Sequence, residues 1–241
     1  MRLTPRVRDA AALLAALAAG AGATDLASVP VPSDIGDLTL QVAQRRLHLP
    51  PGHWVLVART QVPTMGKRNA SGTGIQAWIA RADAGRLNAL LWVSLPEQDF
   101  ANVHHQFNNR CPEEDGIERA DLSGNPNLPE CLGVYGHRDM TQAIAARSDA
   151  VLGWLVRSRI ASDGPMVRFT YRQRTDFSYG GISLFVPTQH FENEGDSSGW
   201  AKQLREACRP LFEGRAHDAT LPPLPAPAAA AVNDTAASAA P

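Results

Sequence analysis

Between Met166 and Thr188 the chain reads MVRFTYRQRTDFSYGGISLFVPT. Val167, Phe169 and Tyr171 alternate with Arg168, Thr170 and Arg172, and Ile182, Leu184 and Val186 alternate again beyond Tyr179-Gly180-Gly181. A period of two belongs to a strand with one dry face, so the pattern predicts a β-hairpin. Its wet face carries Arg168, Arg172 and Arg174, a row that offers an anion contact. A half-buried hairpin does not stand alone in water, and the remainder of the chain must supply further strands and a cover.

The same pattern recurs upstream. Leu38, Leu40 and Val42 alternate with Thr39 and Gln41 in a strand that fades into Arg45-Arg46, and Pro50-Pro51-Gly52 reads as a turn. The run 54–61 (WVLVARTQ) predicts a central strand, and the glycine-, serine- and asparagine-rich stretch 63–74 predicts an outside loop. Residues 75–82 and 87–95 form a second hairpin, turned by Asp83-Ala84-Gly85-Arg86, where Asp and Gly suit the turn positions. Periodicity leaves open whether Trp78 and Trp92 face each other.

Helical spacing appears in three places. Phe100, Val103 and Phe107 mark a short helix within 97–110. Val151, Leu152, Leu155 and Ile160 mark another, capped by Ser148 or Asp149. Trp200, Leu204, Cys208 and Leu211 mark the last, starting at Ser197 or Ser198 and kinked or ended by Pro210. Together these elements predict an α+β domain: an antiparallel sheet of about six or seven strands with two or three helices packed on one face.

Residues 1–23 have a basic start, an apolar run from Ala10 to Ala19 and the small-residue end Ala21-Gly22-Ala23, the plan of a secretory signal peptide. An extended arm follows over 24–35, then a single domain over 36–216. A Pro/Ala-rich stretch over 217–241 has too few bulky side chains to fold and is expected to be disordered. No transmembrane segment is expected once the signal is removed, and the destination is periplasmic or secreted. The formal charge of −1 becomes −3 without the basic leader, which recruits neither nucleic acid nor an anionic membrane by bulk charge.

Export to an oxidising compartment predicts a disulfide among Cys111, Cys131 and Cys208. Cys111 with Cys131 is the favoured pair. It would staple the acidic, proline-containing excursion between them, and closing roughly 20 residues removes about 3 kcal/mol of unfolded-chain entropy in the loop-entropy model. Cys208 falls on the apolar side of the last helix, where it packs as a small hydrophobe.

The chemistry-bearing signals are sparse. Asp121, Ser123, Asn125 and Asn127 alternate as oxygen donors in the manner of a calcium loop, with Glu130 or Asp115 as helpers. However, Pro126 stands where such a loop needs glycine, and Leu132 where it needs the bidentate glutamate. His104, His105, His137 and Asp139 are the candidates for a zinc site or for general acid–base work, provided the fold brings them together. His137-Arg138-Asp139 and Asp176-Phe177-Ser178 share letters with protein-kinase loops. Ile144 replaces the required asparagine and no Gly-rich loop with a strand lysine precedes them, which excludes that reading. No Gly-x-Ser-x-Gly elbow is present.

The sequence therefore points to an exported, non-catalytic envelope protein without a cofactor, binding another envelope protein or a small ligand. The alternative is an acid–base or metal-assisted enzyme, with calcium or zinc as the candidate ions.

Overall fold

A computed structural model describes residues 22–65, 71–98, 111, 118–122, 128–162, 164–175 and 178–225. The larger of its two sheets has the strand order β2 (Ser33–Asp34), β5 (Trp54–Met65), β6 (Ser71–Asp83), β7 (Arg86–Pro96), β11 (Tyr179–Pro187), β10 (Met166–Arg174), β9 (Glu130–His137) and β8 (Glu118–Asp121). Each neighbouring pair in it is antiparallel. The smaller sheet is mixed, in the order β1 (Thr24–Asp25), β3 (Thr39–Val42), β4 (Arg45–His48) and β12 (Asp218–Thr220). There β1 and β12 run parallel to their partners. Among the described residues three α-helices complete the α+β fold: α1 (Met140–Ala145), α2 (Asp149–Arg157) and α3 (Glu194–Phe212).

The predicted hairpin pairs Val167 with Val186, Phe169 with Leu184 and Tyr171 with Ile182. These residues join Ile75, Ala77, Ile79, Leu91 and Val93 on the inner face of the larger sheet. They pack against Trp200, Leu204, Cys208, Leu211 and Phe212 of α3 and against Leu40, Val42 and Leu47 of the smaller sheet. Phe169 lies 4.7 Å from Trp200 between ring centroids, and Tyr171 stacks on Phe212 at 5.5 Å. Each fully buried side chain of this size contributes about 1.5–3 kcal/mol by leaving water.

The helices are divided between the two faces of the sheet. Helix α3 covers the inner face, while α1 and α2 bring Met140, Ile144, Val151, Trp154 and Leu155 against Leu90, Met166 and Phe185 on the outer face. The outer face thus has an apolar patch of its own, which alternation alone had assigned to water.

Several boundaries move. Arg45-Arg46 begins β4, paired through Val42 and Arg45, with Ala43 in the turn at φ 52°. Strands β5 and β6 run on to Met65 and Ser71, through much of the stretch read as a loop, because ladder bonds satisfy the backbone whatever the side-chain polarity. Ala84 and Gly85 both take positive φ at the β6–β7 turn, which matches the right-handed twist of the strands. Asn193 caps α3, accepting from the Asp196 N–H at 3.1 Å, so the helix starts before the serines; Gly195 and Gly199 weakened that signal. Pro210 lies inside α3, which continues to Phe212 and closes at Gly214, φ 72°.

Both ends of the described chain belong to the domain. The arm contributes β1 and β2 and buries Leu26 and Ile35. Residues read as the start of a disordered tail form β12 and bury Leu221. The leader up to residue 21, the helix expected within 97–110 (from residue 99 onward) and the tail beyond Pro225 lie outside the described residues. Among the described residues no helix is long and apolar enough to cross a membrane.

Candidate functional site

The rows of side chains crossing the outer face follow from strand register. Trp78 on β6 pairs directly with Trp92 on β7, which pairs with Ser183 on β11, which pairs with Thr170 on β10. The indoles are partly exposed, 6.5 Å apart between centroids and tilted by 54°. Two residue pairs along the strands, on the same face, Arg172 stands opposite Gly181, and its guanidinium lies 5.6 Å from the Trp92 ring. A Cβ at position 181 would come within 3.2 Å of that indole, so glycine there leaves room for the ring.

The arginine row is only partly wet. Arg172 is exposed, but Arg168 and Arg174 are buried. The cause at Arg168 is Tyr135, directly opposite on β9, whose ring centroid lies 4.2 Å from the guanidinium. Stacking on an aromatic face is a favourable way to bury this cation. Thr170 and Ser183 share a hydrogen bond of 3.0 Å beside it. The partly exposed indoles and the exposed Arg172 guanidinium, on rigid strands backed by these buried polar groups, form a surface that can recognise a ligand.

On the inner face, the same strands fasten α3 through polar groups. Glu130 is 4 % exposed and accepts from Arg205 at 2.7 Å and from the Tyr171 hydroxyl at 3.2 Å. Gln173 bridges Tyr171 to Glu213, and Arg209 and Arg215 also bond Glu213. Burial, then the neighbouring Glu130 charge, raises the Tyr171 phenol beyond its ordinary range. Burial works against ionisation of Glu213, but hydrogen bonds from Gln173, Arg215 and Arg209 outweigh it and lower the carboxyl. Glu130 therefore anchors α3 to the sheet.

The disulfide joins Cys111 to Cys131, with Cα atoms 5.5 Å apart. Cys208 stays free and fully buried, and burial pushes its thiol up to about 12, which removes it as a nucleophile at neutral pH. Tyr179 is likewise pushed up to about 12 by burial, with Arg45 opposing and Glu97 adding.

Of the sequence candidates, Asp121 belongs to strand β8, opposite Cys131, instead of a loop. Ser123, Asn125 and Asn127, like His104 and His105, lie outside the described residues. Asp139 is the N-cap of α1, accepting from the Gln142 N–H at 3.2 Å, and the neighbouring His137 ring packs 6.0 Å from Phe185. Among the described residues no group of three or more His, Cys, Asp or Glu is arranged to hold a metal ion.

A different histidine has the neighbours that acid–base chemistry uses. His48 Nδ1 lies 3.0 Å from the Thr39 hydroxyl, and its Nε2 lies 3.3 Å from Asp218. Cross-strand pairing of Thr39 with His48, and of Asp218 with Arg46 next to it, brings these residues together. No sequence signal could have shown it, since Asp218 comes from a segment read as unfolded. Arg46 holds the Asp218 carboxylate through Nε at 2.8 Å; desolvation opposes ionisation of that carboxyl, but the hydrogen bonds and charges of Arg46 and His48 together outweigh it and lower it. Comparison with known protein families, curated proteins and solved structures finds no match.

Proposed function

We propose that the chain is an exported, non-catalytic binding protein of the cell envelope, and that its ligand, a protein segment or a small molecule, seats on the outer face of the larger sheet. The observation that carries this reading is the Trp78–Trp92 pair, held side by side on two long strands with Arg172 against one ring. Partly exposed tryptophans on a rigid sheet give large contact area at little cost in conformational freedom. The Cys111–Cys131 bridge supports an oxidising destination.

The test is a tryptophan-fluorescence titration of the purified protein with oligosaccharide, peptide and small aromatic-acid panels, repeated with Trp92→Ala. A saturable change that Trp92→Ala loses supports the reading. Indoles that respond to no member of the panels reject it.

A second reading, an acid–base enzyme, is favoured by the Thr39–His48–Asp218 array. The binding reading is preferred because Arg46 already occupies the Asp218 carboxylate and Thr39 is 8 % exposed. Hydrolysis of an activated ester above background, abolished by His48→Ala, would reverse that preference.

A further inference from the structure

The chain leaves β12 through Leu221-Pro222-Pro223-Leu224-Pro225, and Pro223 and Pro225 are fastened to α3 and to the turn before it. Three prolines fix φ near −65°, and each residue before a proline is held in the extended region. The segment is thereby biased to the polyproline II conformation, which has three residues per turn. Leu221 and Leu224 stand three apart and both pack on the main apolar core, Leu221 at 2 % exposure, while Pro223 between them is exposed.

Proline carbonyls need donors from elsewhere, because the segment contributes almost no N–H groups of its own. The Trp200 indole N–H donates to the Pro223 carbonyl at 2.9 Å. His190 Nδ1 bonds the Pro225 carbonyl, and since a carbonyl only accepts, Nδ1 carries the proton. Trp200 and Phe191 flank Phe169, at 4.7 and 5.2 Å between ring centroids, forming an aromatic floor. An aromatic-lined groove whose side chains donate to carbonyls of an extended proline segment is a recurring mode of peptide recognition.

We propose that Trp200, His190 and Phe191 form a recognition groove for an extended proline-rich peptide with leucines three residues apart, and that residues 221–225 fill it in cis. The occupant in trans is a partner segment of Leu-Pro-Pro-Leu-Pro character. A cis ligand competes at an effective concentration on the order of millimolar or above, so the intact chain presents the groove only when this strap lifts.

The experiment uses the full chain carrying Leu224→Ser with Pro225→Gly, which weakens the strap, and a fluorescein-labelled Thr-Leu-Pro-Pro-Leu-Pro-Ala peptide read by anisotropy. The strap variant is expected to bind the peptide saturably and at least tenfold more tightly than the unaltered chain. Adding Trp200→Phe, which keeps the ring and removes the indole donor, is expected to weaken binding at least fivefold. A folded strap variant that ignores the peptide overturns the proposal, as does equal binding of a peptide with both leucines replaced by serine. Should the variant fail to fold, millimolar unlabelled peptide added to the unaltered chain must shift the Trp200 indole N–H resonance, and an unmoved resonance overturns it. A concentration-dependent dimer of the unaltered chain, lost in the strap variant, would also overturn it in favour of strap exchange between two copies.

Discussion

Trp78 and Trp92 face each other directly across the β6–β7 ladder, and Trp78 also lies 6.2 Å from Phe185, which roots the pair in the apolar patch under α1 and α2. Their contact couples the exposed part of the outer face to its buried part. A double-mutant cycle with Trp78→Ala and Trp92→Ala is expected to show a coupling of about 0.5–1.5 kcal/mol in chemical denaturation. Additive losses would mean that the rings are neighbours without a mutual contribution.

Glu130 joins three partners from two elements, and its loss leaves Arg205 and Tyr171 facing each other without a carboxylate. Glu130→Gln is expected to cost about 2–3 kcal/mol, less than for a fully buried pair because Arg205 and Arg209 reach water. The loss should appear in the urea midpoint, and Arg205→Ala added to Glu130→Gln should cost little more.

The lowered Glu213 carboxyl gives stability a pH dependence of definite sign. A carboxyl depressed on folding contributes stability above its unfolded value, about 4.3 for glutamate. That contribution disappears as pH falls through the folded value. Glu213→Gln should therefore be destabilising at pH 7 by about 1–2 kcal/mol, with the difference from the unaltered protein shrinking below about pH 4. Thermal melts of the two proteins from pH 7 down to pH 3 measure it, and a constant gap would contradict the assignment.

Gly180 is where the end of α3 touches β11. A Cβ there would stand 2.1 Å from the Phe212 ring, so Gly180→Ala forces the ring or the helix end to move. The expected cost is about 2–3 kcal/mol. A Phe212→Leu background should recover part of it, which distinguishes a steric clash from a backbone effect in the melting temperature.

The hairpin at 166–188 was legible because its apolar residues do alternate onto one inner face, but its other face is not wet: every residue of β10 except Arg172 is buried. Trp200, Leu204 and Leu211 were legible for the same reason at helical spacing. The outer face was not, because a patch of apolar residues under α1 and α2 depends on a helix, Met140–Ala145, too short to leave a periodic signature. Arg168 looked like a solvated cation since no local pattern records Tyr135, which arrives from a strand more than 30 residues away. The residues following His217 looked disordered from composition, yet β4 offers β12 a ladder and the core accepts Leu221. The pairing of Cys111 with Cys131 was readable from the acidic loop between them and its length, while the proximity of His48 and Asp218 needed the sheet to be built first.

Among the described residues, the open sheet of eight strands ends in two margins, and each is unsuited to receive another chain. One is β2, two residues long and following Pro30 and Pro32, which supply no ladder donors. The other is β8, four residues reading Glu-Arg-Ala-Asp, with charge at three of the four positions. Short, charged or proline-flanked margins discourage edge-to-edge addition. Among the described residues, the sheet can thus stay wide and unclosed without offering a template for its own aggregation.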